Sequence, residues 1–189
     1  MASLIESLKL SRWVSFVRGS WWSYNQYANF KNFKGCNVSE WFGCEMALGC
    51  PDNDEPIIWY HDSIPFLQFD SIYLYVDKKW YHMMTYQHDQ GWGLQVLKLK
   101  GERPSLDPIS REEQSIYRDR SVSEIPTGTI LSVTLNKFDS VNIGAVTMQI
   151  DDYFINIFAG EVDEKVNGTF VVLPEDESVL IQVNGKRPA

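Results

Sequence analysis

The sequence predicts a mainly β fold, a β-rich α+β domain whose antiparallel meanders form a sandwich or a rolled sheet. Three observations carry this. Ile72, Leu74 and Val76 alternate with Tyr73 and Tyr75, a period of two that sends neighbours to opposite faces of a sheet. Short turn sequences, Asp77-Lys78-Lys79 and Gln90-Gly91, join that run to Trp80–Tyr86 and Trp92–Leu99, as a meander requires. Asn167-Gly168 marks a further hairpin, because both residues tolerate the positive φ of a type I′ turn.

At 189 residues the chain is expected to be one domain. Residues 1–55 read as an irregular, aromatic-rich and partly helical segment. Leu4, Ile5, Leu8 and Leu10 have rough helical spacing, and Trp13 to Val17 reads as a strand. Tyr24, Tyr27, Phe30 and Phe33 step by three, which predicts one side of a helix. The run Pro51 to Pro56 is a turn-forming boundary.

Residues 57–100 hold the first meander. Residues 101–128, with Pro104, Pro108, Pro126 and Gly128, read as a connection covering the sheet. A short helix is expected near 110–118, from the capping pair Ser110 and Glu113 with Ile116 and Tyr117 on its apolar side. The second meander occupies 129–185, with strands at Thr129–Leu135, Ile143–Ile150, Tyr153–Ala159, Phe170–Leu173 and Val179–Val183. Phe69-Asp70-Ser71 and Phe138-Asp139-Ser140 lead into corresponding strands of the two meanders. Two related meanders packed face to face, or a coincidence of pattern, account equally for that likeness.

Composition narrows the function. Seventeen basic against 25 acidic side chains give a formal charge of −8, and 14% of residues are aromatic. Disorder is excluded by that apolar content, and no 18-residue apolar run is present to form a membrane-spanning helix. A pI near 4.9 repels phosphates, so neither nucleic acid nor an anionic membrane is an expected partner. The first ten residues lack a basic start followed by an unbroken apolar stretch, which does not read as a secretory signal. With an odd count of cysteines, Cys36, Cys44 and Cys50, a cytoplasmic location is expected. Their gaps do not match zinc spacing, so no metal is expected; a disulfide with one thiol over and three small core residues stay open.

Catalytic signatures are sparse. Gly91-Trp92-Gly93 lacks the third glycine of a phosphate-cradling loop, and no Gly-x-Ser-x-Gly elbow occurs. Cys50 with His61 or His88 is the cysteine–histidine pairing on offer. His61, His82 and His88 are the histidines a metal-dependent β-barrel enzyme would use. The plainer alternative is one half-buried strand histidine and one solvated turn histidine. No cofactor and no enzymatic activity are expected.

Charge is unevenly spread, with a net −5 over residues 129–189 against +2 over residues 1–50. Asp52, Asp54 and Glu55 lack the pattern of a calcium loop. Asp151 and Asp152, Asp163 and Glu164, and Glu175, Asp176 and Glu177 fall at predicted strand ends. Gathered at one edge, they would make a negative rim that steers a basic partner. Trp21 and Trp22 are adjacent, so in a strand one of them faces outward as a candidate anchor.

A small, acidic, β-rich chain without catalytic motifs is similar in type to bacterial immunity proteins. The expected function is therefore a non-catalytic protein-binding module, most concretely an immunity-type inhibitor of a basic toxin or effector. The alternative is a carbohydrate- or small-ligand-binding sandwich using Trp80, Trp92 and Tyr86 as a stacking platform.

Overall fold

The computed structural model describes residues 22, 24–49, 56–88, 91–101, 116–137 and 142–188. They form one antiparallel sheet of nine strands: β1 (Asn37–Met46), β2 (Leu67–Val76), β3 (Lys79–His88), β4 (Gly91–Lys98), β5 (Tyr117–Ser121), β6 (Gly128–Lys137), β7 (Ile143–Ile150), β8 (Tyr153–Glu164) and β9 (Phe170–Val183). The mainly β prediction holds, and the sheet is rolled. Strand β1 pairs with β2, β2 with β9, then β8, β7 and β6 follow, and β6 returns to β1 at Val38 and Gly128. Strands β3 and β4 extend from β2, and β5 extends from β1.

The period-two pattern places the core as expected. Ile72, Leu74 and Val76 of β2 face inward with Met83 of β3 and Leu94 and Val96 of β4. Opposite them stand Val146 and Met148 of β7, Ile155 and Ile157 of β8, and Val179 and Ile181 of β9. A bulge at Asp70 lets Phe69 also face the core, because Cys44 pairs with Ser71 while Glu45 pairs with Phe69. The extra residue resets the side-chain parity of the strand.

Turn chemistry differs from expectation at one site. The Asp77-Lys78 turn has φ of 47° and 63° and closes between paired Val76 and Lys79, as a two-residue type I′ hairpin does. At Asn167-Gly168 only Gly168 is left-handed, at φ 76°. Lys165 N–H donates to the Thr169 carbonyl at 2.8 Å, which leaves three residues in the loop. Such loops place one left-handed glycine at the bulge. Asn167 instead accepts from the Thr169 amide and hydroxyl at 3.1 and 2.6 Å.

Four element predictions need correction. The segment 1–55 contains β1 within what was expected to be irregular. The helix expected near 110–118 lies outside the described residues up to 115, and Tyr117 and Arg118 begin β5. Their partners Met46 and Glu45 supply ladder hydrogen bonds that a helix would forgo. Phe170–Leu173 and Val179–Val183 are one strand, β9, interrupted by an outward loop: Gly160 pairs with Pro174 and Ala159 with Val179. The aromatic stripe on the helix at 24–31 is also split. Phe30 and Phe33 are buried, whereas Tyr24 and Tyr27 are exposed. A step of three falls about 60° behind the helical period each time, so buried Gln26 shares the inner face with Phe30 instead.

That helix covers an open edge. Gln26 Oε1 accepts from the Val96 amide of β4 at 2.9 Å, and Lys31 Nζ donates to the Val133 carbonyl of β6 at 2.7 Å. The helix thereby satisfies backbone groups on two strands that do not pair with each other, a standard protection of sheet edges. The Leu4–Leu10 helix and Trp13–Val17 strand lie outside the described residues. Among the described residues, no helix is long and apolar enough to cross a membrane.

Candidate functional sites: an acidic groove and an arginine cluster

Strand β8 decides where the acidic residues go. Asp151 and Asp152 form the turn before it, and Asp163 and Glu164 end it. A strand of 12 residues separates its ends by roughly 35–40 Å, so these pairs stand at opposite edges. The single expected rim is therefore two separate groups. Glu175, Asp176 and Glu177 occupy the outward loop of β9 and join the Asp163 end. There Asp176 and Glu177 face Glu161, a carboxylate the sequence reasoning missed because it sits inside a strand, while Glu175 lies beside Gly91.

Burial raises the Glu161 carboxyl above its usual 4.5, and the negative charges of Asp176, Glu177 and Asp163 raise it further. The group borders a cavity of about 480 Å³, lined by Met46, Leu48 and Ile116 from the β1 side and by Glu161, Asp163 and Glu164 from the β8 side. Lys165, the cation of that lining, is held by Asp163 at 2.5 Å. An apolar wall facing crowded carboxylates suits a long side chain with an aliphatic stem and a positive head.

The crowding has a stability consequence. A carboxyl whose folded value is raised binds more protons folded than unfolded between the two values, so stability falls as pH rises through that window. Glu161→Gln removes this penalty. The variant is expected to melt higher than the parent at pH 7, with the difference shrinking as pH falls toward 4.5. Melting curves at several pH values check this; equal melting temperatures at pH 7 would contradict the repulsion.

Other candidates are dispersed. Trp22 packs edge-on against Tyr86 of β3, 4.4 Å between ring centres, and Tyr86 Oη donates to Asn142 at 2.6 Å. Trp22 therefore ties the helical segment to the sheet, and Trp21 lies outside the described residues. The proposed stacking platform does not assemble. Trp92 lies on the inner face with Leu94 and Val96, whereas Trp80 is buried on the other face of β3 against Tyr75. Alternation along paired strands puts the sheet between them.

The histidines do not converge either. His61 lies against Phe170 with its Nδ1 on Ser63 at 2.7 Å. His82 stacks on Tyr73 with 4.3 Å between ring centres, and burial lowers its pKa, opposed by the charge of Asp70. The side chain of His88, like Cys50, falls outside the described residues. Among the described residues no group of three His, Cys, Asp or Glu side chains is placed to hold a metal. Cys44 is buried, and Cys36 Sγ donates to the Asn32 carbonyl at 3.2 Å; neither forms a disulfide.

A second site was not expected. Glu45 lies on the inner face of β1 and is 1% exposed. Its partners in the β5 ladder are Arg118, directly paired, and Arg120, one inner position further along. Arg118 Nε and Arg120 Nε donate to Glu45 Oε2 at 2.7 and 2.6 Å. Arg120 also reaches Glu124 at 2.8 Å. Burial works against the Arg120 charge, but Glu45 and Glu124 outweigh it and hold the guanidinium charged. Arg187 approaches through the tight turn at Asn184-Gly185, where Val183 and Lys186 exchange backbone hydrogen bonds. Trp59 carries Arg118 on its face at 4.1 Å, and Tyr60 carries Arg187 at 5.2 Å. Such cation–π placements add to the hold on each guanidinium.

Compared with known proteins, the chain matches no family model, no curated protein and no solved structure.

Proposed function

We propose that this protein is a non-catalytic protein-binding module that receives a basic partner on its acidic groove. In its most concrete form it is an immunity-type inhibitor that neutralises a basic toxin or effector in the cytoplasm. The observation that supports this is the crowding of Glu161 with Asp163, Asp176 and Glu177 beside an apolar wall. Like charges held together at a cost to the free protein are relieved when a cation enters among them. A lysine or arginine of the partner fits, its stem against Met46 and Leu48 and its head among the carboxylates. Attraction of this kind speeds encounter and weakens with salt.

The test begins with affinity capture from the source cells at low and high salt, followed by binding measurements on the captured protein. A stoichiometric basic partner is expected, released by salt. Charge reversal by Glu161→Lys with Asp163→Lys is expected to weaken binding at least about a hundredfold, from two charge pairs at 1.5 kcal/mol or more each. Glu or Asp substitutions of the partner's contacting Lys or Arg should restore it. Binding that ignores the reversal, or capture of no stoichiometric partner, would overturn the proposal.

A further inference from the structure

We infer that the cavity beside Glu45 is a binding site for a small monoanionic carboxylate. The cavity measures about 350 Å³ and lies among Arg118, Arg120, Arg187, Trp59 and Tyr60, within the size range of small-ligand pockets. It shares no lining residue with the acidic groove, so it stands independently of the partner-binding proposal.

The charge balance defines the ligand. Among the described residues lining the cavity, three guanidiniums face two carboxylates, Glu45 and Glu124, which leaves one positive charge over in a chain that is otherwise net acidic. The surplus falls on Arg187. Its side chain is only 14% exposed, and the nearest Glu45 oxygen is 3.7 Å away. Its Nη1 and Nη2 donate instead to the carbonyls of Phe66 and Trp59. Neutral carbonyls satisfy its donors, and its near counter-charge, Glu45, is already shared with Arg118 and Arg120, so the buried charge is only partly offset, a costly state. Burial lowers the Arg187 pKa and the like charge of Arg120 adds to that shift, while Glu45, Tyr60 and Glu124 oppose it without cancelling it.

One surplus positive charge calls for one negative charge, which fits a carboxylate better than a phosphate dianion. Guanidinium forks match the planar carboxylate with paired hydrogen bonds. Leu67 and Pro188, with the rings of Trp59 and Tyr60, supply apolar contact for the body of the ligand. An aromatic or branched carboxylate therefore fits better than acetate.

The experiment titrates benzoate, acetate and inorganic phosphate separately into the full chain at constant ionic strength, following heat of binding and melting temperature. Benzoate is expected to saturate at one site, to raise the melting temperature, and to bind more tightly than acetate or phosphate. Arg187→Gln is expected to weaken benzoate about tenfold or more, the loss of one charge-assisted contact. Arg118→Gln, at the half-exposed end of the cluster, is expected to do the same and serves if the first variant does not fold. Phosphate binding more tightly than benzoate, a benzoate response that never saturates, or affinity unchanged in the folded variants would each overturn the inference.

Discussion

Glu45→Gln is expected to destabilise the fold by about 3–5 kcal/mol, the cost of stripping one partner from a buried ion pair. The amide keeps the shape of the carboxylate but not its charge, and one of its two acceptors becomes a donor aimed at guanidinium N–H groups. Arg120 and Arg187, 22% and 14% exposed, are then left facing each other with Glu124 alone. In a domain of this size the loss corresponds to a fall in melting temperature of roughly 6–20 °C. Arg118→Gln should cost only about 1 kcal/mol or less, because its head is 45% exposed and water replaces the partner. Denaturant unfolding of both variants checks the contrast; similar small losses would show that Glu45 is not the anchor of the cluster. The same Glu45→Gln protein, where folded, should bind benzoate more tightly, since the surplus positive charge is larger.

The components of that cluster were visible in the sequence, though not their meeting. Glu45 is a lone charge in the apolar run Trp41 to Leu48, and Arg118 and Arg120 alternate at the period of a strand. Their juxtaposition depends on β1 pairing with β5 across the whole first meander, which no local pattern encodes. Arg187 arrives from the far end of the chain through the Asn184-Gly185 turn. Acidic charge near residues 161–177 was equally legible, but its grouping followed from the outward loop of β9. The two apolar runs flanking that loop read as separate strands because Pro174 to Glu177 interrupt the alternation.

Legibility of the fold followed how far side-chain burial obeyed the period of two. In β2 and β7 the core side chains are Phe, Ile, Leu, Val and Met, and the strands were evident. Both β1 and β5 were hidden for one shared reason. The inward positions of β1 run Trp41, Gly43, Glu45, and those of β5 are Arg118 and Arg120. Glycine and charge erase the apolar alternation there. Gly43 is required because a Cβ would stand 2.8 Å from the Phe69 ring and 3.1 Å from the Ser71 carbonyl oxygen, tighter than packed atoms allow. The site and the blind spot in the pattern are thus the same residues: strands that carry a buried ionic cluster lose the signal by which strands are recognised.

Trp41→Ala is expected to cost about 3–5 kcal/mol, in the range for emptying a large buried aromatic position. Trp41 is 2% exposed and is more than a space-filler. Its Nε1 donates to the Pro126 carbonyl at 2.9 Å, and its own carbonyl accepts from the Val122 amide at 2.9 Å. These bonds fasten the connection between β5 and β6 to β1, and so hold β5 where its arginines meet Glu45. Trp41→Phe separates the two roles. It keeps most of the volume but leaves the half-buried Pro126 oxygen without the indole donor, a loss of about 1 kcal/mol. If the side chain also positions β5, Trp41→Phe should weaken benzoate binding although Trp41 does not line the cavity. Unfolding and titration of the two variants distinguish the outcomes. A cost for Trp41→Ala below about 1 kcal/mol would place the residue outside the core, and unaltered benzoate affinity in Trp41→Phe would show that β5 is held by its ladder with β1 alone.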